Sequence, residues 1–168
     1  FKGSKNFADK EHDRLVQSSG GMINAYTSND MTVYHQEFGK DQLELVARLE
    51  ADRMQYLTIT DKQLASERQV VLEERNMRID NSPFGDVLEQ LMANVYLAHS
   101  YGWLTIGWRK DVENISLEDC LNYYGTYYNP ANAVVVVVGD VKSAEVQKVV
   151  EKYFGKIPAN PKIPRPIY

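Results

Sequence analysis

Cysteine, basic charge and long apolar runs are all scarce in this sequence, and each shortage excludes a kind of structure or binding surface. Cys120 is the only cysteine in 168 residues, so an internal disulfide is impossible. The 19 Lys and Arg residues are outnumbered by 23 Asp and Glu residues, and the net charge of −4 gives no basic surface for nucleic acid or anionic membranes. No apolar run reaches the ~18 residues that a membrane span needs. The length suits a single globular domain with its own core.

Histidine is also scarce, and its spacing excludes a local metal motif. No two of His12, His35 and His99 lie within five residues of each other. The segment Ala8–His12 reads ADKEH, one residue away from the H-x-x-E-H signature of inverted zinc peptidases. His12 belongs to a helix rich in charged residues, so we expect its side chain to be solvated. The sequence contains neither a nucleophile elbow nor a phosphate-cradling glycine loop.

The periodicity of apolar residues predicts an α+β chain. A run of β-branched residues, AVVVVV at 133–138, indicates a strand covered on both faces. The order of elements favours helices packed on one face of a largely antiparallel sheet. The other predicted elements are a hairpin over 22–38 that turns at 28–30, and helices over about 9–18, 43–57, 61–80, 83–99 and 143–155, with one more starting near 116.

The chain divides into a domain and a tail. Residues 1–157 carry all the predicted helices and strands. Residues 158–168 contain four of the six prolines and no helix or strand pattern. We therefore predict one domain over 1–157 and a semi-rigid linker over 158–168.

Two glutamates on the predicted 61–80 helix share one side of it. Glu67 and Glu74 are seven residues apart, which separates them by only ~20° around the helix axis. Val70 and Met77 flank the pair on one side, whereas Glu73 falls on a more polar face. A carboxylate in an apolar arc needs a cation, hydrogen-bond donors or a proton.

Two interpretations of Glu74 follow from this position. Arg78 is four residues further on, and a Glu–Arg pair at this spacing would satisfy the carboxylate without a metal. Alternatively, Glu74 binds a metal and Glu67 supports it. The two backbones are ~10 Å apart along the helix and zinc–carboxylate bonds are ~2.1 Å long. Only one of the two would then bind the metal directly, while the other would orient a ligand by hydrogen bonding.

Several segments together resemble the inverzincin family of zinc peptidases, which is peptidase family M16 and includes insulinase, pitrilysin and mitochondrial processing peptidase. Each fragment is weak alone, but the ordered set is specific and covers nearly the whole chain, which most resembles a bacterial member. The segments are FKGS at the start, SGGMINAYTSNDMTVY (19–34), ERQVVLEE (67–74), HSYGWLTIGW (99–108) and YYNPANAVVVVVGDV (127–141).

The resemblance implies a zinc site to which this chain contributes one ligand. In the family, FKGS directly follows the H-x-x-E-H helix, so two zinc histidines and the catalytic glutamate are expected before Phe1. ADKEH is then a coincidental match. Glu74 matches the family's distal zinc ligand, and Glu67 matches its acidic supporting residue. We expect this chain alone to be inactive.

The resemblance also implies architecture and partners. The chain looks like most of the zinc-side half of a two-domain clamshell whose N-terminal strands are missing. The expected partners are a peptide substrate, a homologous second domain or subunit, and the missing N-terminal segment, which could be a separate piece. Asn24, Ala25 and Tyr26 match the edge strand that holds the peptide beside zinc.

Two functions remain open at this point. The first is a zinc metalloendopeptidase that hydrolyses peptides or unfolded proteins. The second is a catalytically inactive family member that serves as a structural or substrate-binding subunit. Retention of Glu67 and Glu74 favours the enzyme. Nothing in the sequence indicates the cellular compartment.

Overall fold

The computed structural model describes residues 3–160 and 162–164. Within these residues the chain forms seven α-helices and a two-stranded antiparallel sheet, which confirms the α+β class. The elements are α1 (Glu11–Ser18), β1 (Met22–Thr27), β2 (Thr32–Glu37), α2 (Leu43–Tyr56), α3 (Asp61–Arg75), α4 (Pro83–Val95), α5 (Arg109–Asn114), α6 (Leu117–Tyr127) and α7 (Ser143–Phe154).

The described residues divide into two compact units. The first contains residues 3–25, 34–59, 121–160 and 162–164; the second contains 26–33 and 60–120. Among the described helices, none is long and apolar enough to cross a membrane.

The first unit is built around α2, whose buried face carries Leu49. Helix α7 packs against α2, and Val16 of α1 is fully buried. Residues 3–5 are anchored at the end of α2, where the N–H of Lys5 donates to the carbonyl of Tyr56 at 2.9 Å. The Asp52 carboxylate is itself buried and accepts hydrogen bonds from the side chains of Ser4 and Asn6.

His12 is buried rather than solvated, so the prediction made from its charged neighbours was wrong. The side chain lies on the same face of α1 as Val16, four residues later, and that face packs inward. Its Nε2 lies 3.4 Å from Oε1 of Glu50 and 3.4 Å from Nε2 of Gln36. Desolvation by burial lowers the pKa of His12, although the Glu50 carboxylate partly opposes this shift.

The hairpin follows the predicted pattern, with strands β1 and β2 joined at 28–31. Gly20 ends the turn after α1 with φ of +78°, a conformation that glycine adopts without strain. A Cβ at Gly21 would lie 2.9 Å from the carbonyl oxygen of Glu37, so glycine allows the two backbones to approach closely.

The second unit is built on α3 and α4. Thr60 and Gln63 form the predicted capping box at the start of α3. Helix α3 ends at Arg75 and passes into a π-helical turn, Asn76–Asp80, so the predicted 61–80 helix is two elements. Gly85 of α4 lies against that turn, and a Cβ there would come 2.5 Å from the carbonyl oxygen of Arg78.

The predicted strand at 133–138 is not a strand in this structure. Among the described residues, no backbone hydrogen bond involves this segment. Val135 and Val137 line a groove with α7, whereas Val134, Val136 and Val138 are 88%, 76% and 91% exposed. Val135 is itself 47% exposed, so only Val137 is half-buried, and the described residues contain no neighbouring strand for this segment. The prediction of a strand covered on both faces was therefore wrong for this chain.

Candidate functional site

Glu74 lies in the last turn of α3 and lines an open groove of about 540 Å³. Its Oε1 lies 2.9 Å from Nη1 of Arg78, so the ion pair expected at this spacing is present. The two side chains are 40% and 71% exposed. Exposed pairs of this kind contribute only about 0.3–0.5 kcal/mol, so the pair would not prevent a metal from binding Glu74. The groove is lined by Gln69, Val70, Glu73, Glu74, Met77 and Arg78.

The three glutamates of α3 differ in exposure. Glu67 and Glu74 are half-buried, whereas Glu73 is exposed. The apolar residues next to the pair are open to solvent, since Val70 is 56% and Met77 is 76% exposed. The apolar arc found on the helical wheel is therefore an uncovered surface within this chain.

Arg75, next to Glu74, forms a buried ion pair with Glu89 of α4. Its Nη1 and Nη2 donate to Oε1 and Oε2 of Glu89, both at 2.7 Å. Nη1 also donates to the carbonyl of Gly107 at 2.7 Å, and Nη2 lies 3.3 Å from Oδ1 of Asp80. Hydrogen bonding to Glu89 raises the pKa of Arg75. Removing one partner of such a buried pair costs about 3–5 kcal/mol, because the other charge is left uncompensated.

This ion pair was missed by sequence reasoning. Arg75 falls on the buried stripe of the helix with Leu72, which could have marked it as a buried cation. Its partner is 14 residues away on another helix, and no local spacing rule connects them.

The described residues can supply part of a zinc site. A zinc site uses three or four protein ligands, and the described part of the chain contains no cluster of three His, Cys, Asp or Glu side chains that could hold a metal. Glu74 fits as a single ligand, since it is a carboxylate that opens onto a groove. The remaining ligands would have to come from outside these residues.

The strand predicted to hold a peptide is an edge strand. Within the described residues β1 pairs with β2 alone. Asn24, Ala25 and Tyr26 are all exposed. The N–H of Ala25 donates to Oδ1 of Asn24 at 2.8 Å, so the Asn24 side chain occupies this backbone donor.

The tip of the hairpin is fixed within the second unit. The hydroxyl of Tyr101 donates to both carboxylate oxygens of Asp30, at 2.8 and 2.7 Å, and the side chain of Thr105 bonds that of Asn29 at 3.1 Å. The HSYGWLTIGW segment therefore anchors the turn between the strands. Of the predicted site residues, Glu67, Glu74 and Tyr26 belong to the second unit, and Asn24 and Ala25 to the first.

Comparison with protein families defines the class of this chain. Residues 1–107 match the model of insulinase (peptidase family M16), and residues 114–168 match that of the peptidase M16 inactive domain. The first match alone covers more than half of the chain. The chain therefore belongs to peptidase family M16, as the resemblance predicted.

Relatives of this chain include proteins named as a zinc protease and as a processing peptidase subunit. The chain is 39% identical over 154 residues to zinc protease PqqE of Helicobacter pylori. This alignment covers 92% of this chain and 35% of the relative. It is 30% identical over 157 residues to the probable mitochondrial-processing peptidase subunit beta of Schizosaccharomyces pombe, covering 94% of this chain and 34% of that protein. The chain thus spans about a third of the length of these relatives.

Solved structures share the fold. The crystal structure of a protease from Helicobacter pylori superposes with a TM-score of 0.93 at 38% identity, covering 99% of this chain and 41% of that one. The periplasmic protease PqqL of Escherichia coli superposes with a TM-score of 0.85 at 23% identity, covering 99% of this chain and 19% of that one, and supports the fold alone.

Proposed function

We propose that this chain is the greater part of the zinc-side domain of a metalloendopeptidase that hydrolyses peptides or unfolded proteins. The observation that carries the proposal is Glu74, a half-buried carboxylate that opens onto the groove beside α3. The names of the relatives, among them a zinc protease, support the same activity. This chain alone supplies one zinc ligand and is inactive by itself.

Glu74 would hold the metal, and Glu67 would orient a ligand by hydrogen bonding. When bound, zinc would supply a Lewis acid for the scissile carbonyl group. In this chain the Glu74 carboxylate also forms an ion pair with Arg78. The general base is expected among residues that precede Phe1 in a longer protein.

The substrate would add to the free edge of β1. A peptidase that accepts varied sequences needs contacts that do not depend on side chains, and main-chain hydrogen bonds to an edge strand provide them. Asn24, Ala25 and Tyr26 are exposed on that strand. An incoming peptide would replace the Asn24 side chain as the partner of the Ala25 N–H.

The partner that completes the domain would cover the valine segment 133–138. Its β-branched residues are exposed except for the half-buried Val137, and they have no strand beside them among the described residues. Since this chain spans only about a third of the length of these relatives, we assign this surface to strands of the same protein that precede Phe1, either joined to the chain or as a separate piece. A homologous second domain or subunit would complete the clamshell.

The alternative is a catalytically inactive protein that keeps the fold and serves as a structural or substrate-binding subunit. The match of residues 114–168 to the inactive-domain model is consistent with it. The position of Glu74 favours the enzyme, because a subunit without metal has no need for this carboxylate beside an open groove.

Matched glutamate variants in the complete protein test the zinc site. Glu74→Gln should lose zinc and activity, because a neutral amide is a poor ligand. Glu67→Gln should retain more zinc but lose activity by roughly 10–100-fold, the usual effect of disturbing a residue that orients a ligand. Glu73→Gln is the control and should change neither property. Zinc content and peptide hydrolysis are the measurements, and equal behaviour of Glu73→Gln and Glu74→Gln would refute the assignment.

Two substitutions at one position test the substrate edge. Ala25→Pro removes the backbone donor and disturbs the strand, so KM should rise and kcat/KM should fall while zinc content stays normal. Ala25→Val keeps the N–H and suits a strand, so it should retain most of the activity. Steady-state kinetics with an unstructured peptide provide the readout. Normal KM in Ala25→Pro would contradict binding at this edge.

Hydrogen exchange tests the proposed cover of residues 133–138. In the complete protein these amides should exchange at least about 100-fold more slowly than unstructured amides, as is usual for paired strands. Removal of the residues before Phe1 should abolish the protection. Protection that depends on protein concentration would instead show that a second copy covers the surface. Fast exchange of these amides in the complete protein would show that the surface is not covered, and would contradict the proposal.

A further inference from the structure

We propose that the buried Arg75–Glu89 ion pair positions Glu74 for metal binding. This inference rests on the proposed role of Glu74 as a zinc ligand. Arg75 is therefore a positioning residue: it acts through the backbone of α3 and touches neither metal nor substrate in the proposal.

The geometry links the two residues closely. Arg75 and Glu74 are consecutive, so their side chains leave the helix about 100° apart. Arg75 is only 4% exposed and its two terminal nitrogens are bound to α4 and to the Gly107 carbonyl. Fixing Arg75 at three acceptor atoms fixes the rotation of the last turn of α3, and with it the direction of Glu74 toward the groove.

The end of α3 needs a contact with another element to fix its rotation. The helix does not stop at a conventional cap but passes into the π-helical turn Asn76–Asp80, and π-turns change the register of side chains around the axis. The exposed Arg78 cannot tie α3 to another helix, since it lies only four residues after Glu74 on the same surface. The Arg75–Glu89 pair connects the turn to a second helix instead.

A metal ligand benefits from this arrangement because binding is sensitive to direction. A ligand that is free to rotate must lose conformational freedom when it binds, whereas one held in place does not. If the ion pair served only to join α3 to α4, its replacement by an apolar pair that preserves the fold would leave zinc affinity unchanged.

The experiment measures the zinc dissociation constant of the complete protein by competition with a chelator, at a temperature where every variant is folded. Arg75→Lys, Glu89→Gln and the double variant Arg75→Met/Glu89→Met are compared with wild type. The double variant avoids an unpaired buried charge and should fold even if the single variants do not. We expect the dissociation constant to rise about tenfold or more, the scale seen when residues behind a ligand are changed.

Val112→Ala controls for loss of stability. Val112 is 5% exposed on α5, which packs against α3, so its truncation should lower Tm without altering the ion pair. Near-normal zinc affinity in this variant, with weakened affinity in the ion-pair variants, would support the proposal. Wild-type affinity in the folded double variant would overturn it, and so would an equal loss in Val112→Ala. If Glu74→Gln itself leaves zinc affinity unchanged, the proposed function fails rather than the positioning role alone.

Discussion

The buried ion pair between Arg75 and Glu89 is the interaction on which the second unit depends most. Both terminal nitrogens of Arg75 and both carboxylate oxygens of Glu89 are used, whereas Nε of Arg75 is buried without a hydrogen-bond partner among the described residues. The apolar core beside it is small, with Leu72, Ile79 and Val112 as its buried hydrophobic residues among those described. In our proposal this polar contact sets the orientation of the last turn of α3, and therefore of Glu74.

A stripe of exposed apolar side chains runs along α4. Along α4, the side chains of Phe84, Val87, Leu91 and Val95 are 76%, 64%, 54% and 60% exposed. Their spacing places them on one helical face, and large apolar patches of this kind usually mark interaction surfaces.

Local rules predicted the features that depend on neighbours in sequence. The Thr60 capping box, the hairpin turn and the Glu74–Arg78 pair each need residues three or four positions apart, and all three are present. The same rules failed at His12, whose charged neighbours concealed a buried helix face. They also failed at 133–138, because a strand requires partners and the sequence pattern cannot show whether the chain supplies them. The Arg75–Glu89 pair joins two helices and has no local signature.

We propose that Glu74 supplies one ligand to a zinc site completed outside residues 1–168. Zinc content measured by elemental analysis, for this 168-residue chain and the complete protein side by side, tests it most directly. The account predicts about one zinc ion per complete protein and no tight zinc in the 168-residue chain, since a zinc site needs three or four ligands. Stoichiometric zinc on the 168-residue chain, together with peptide hydrolysis, would contradict the account and return attention to His12.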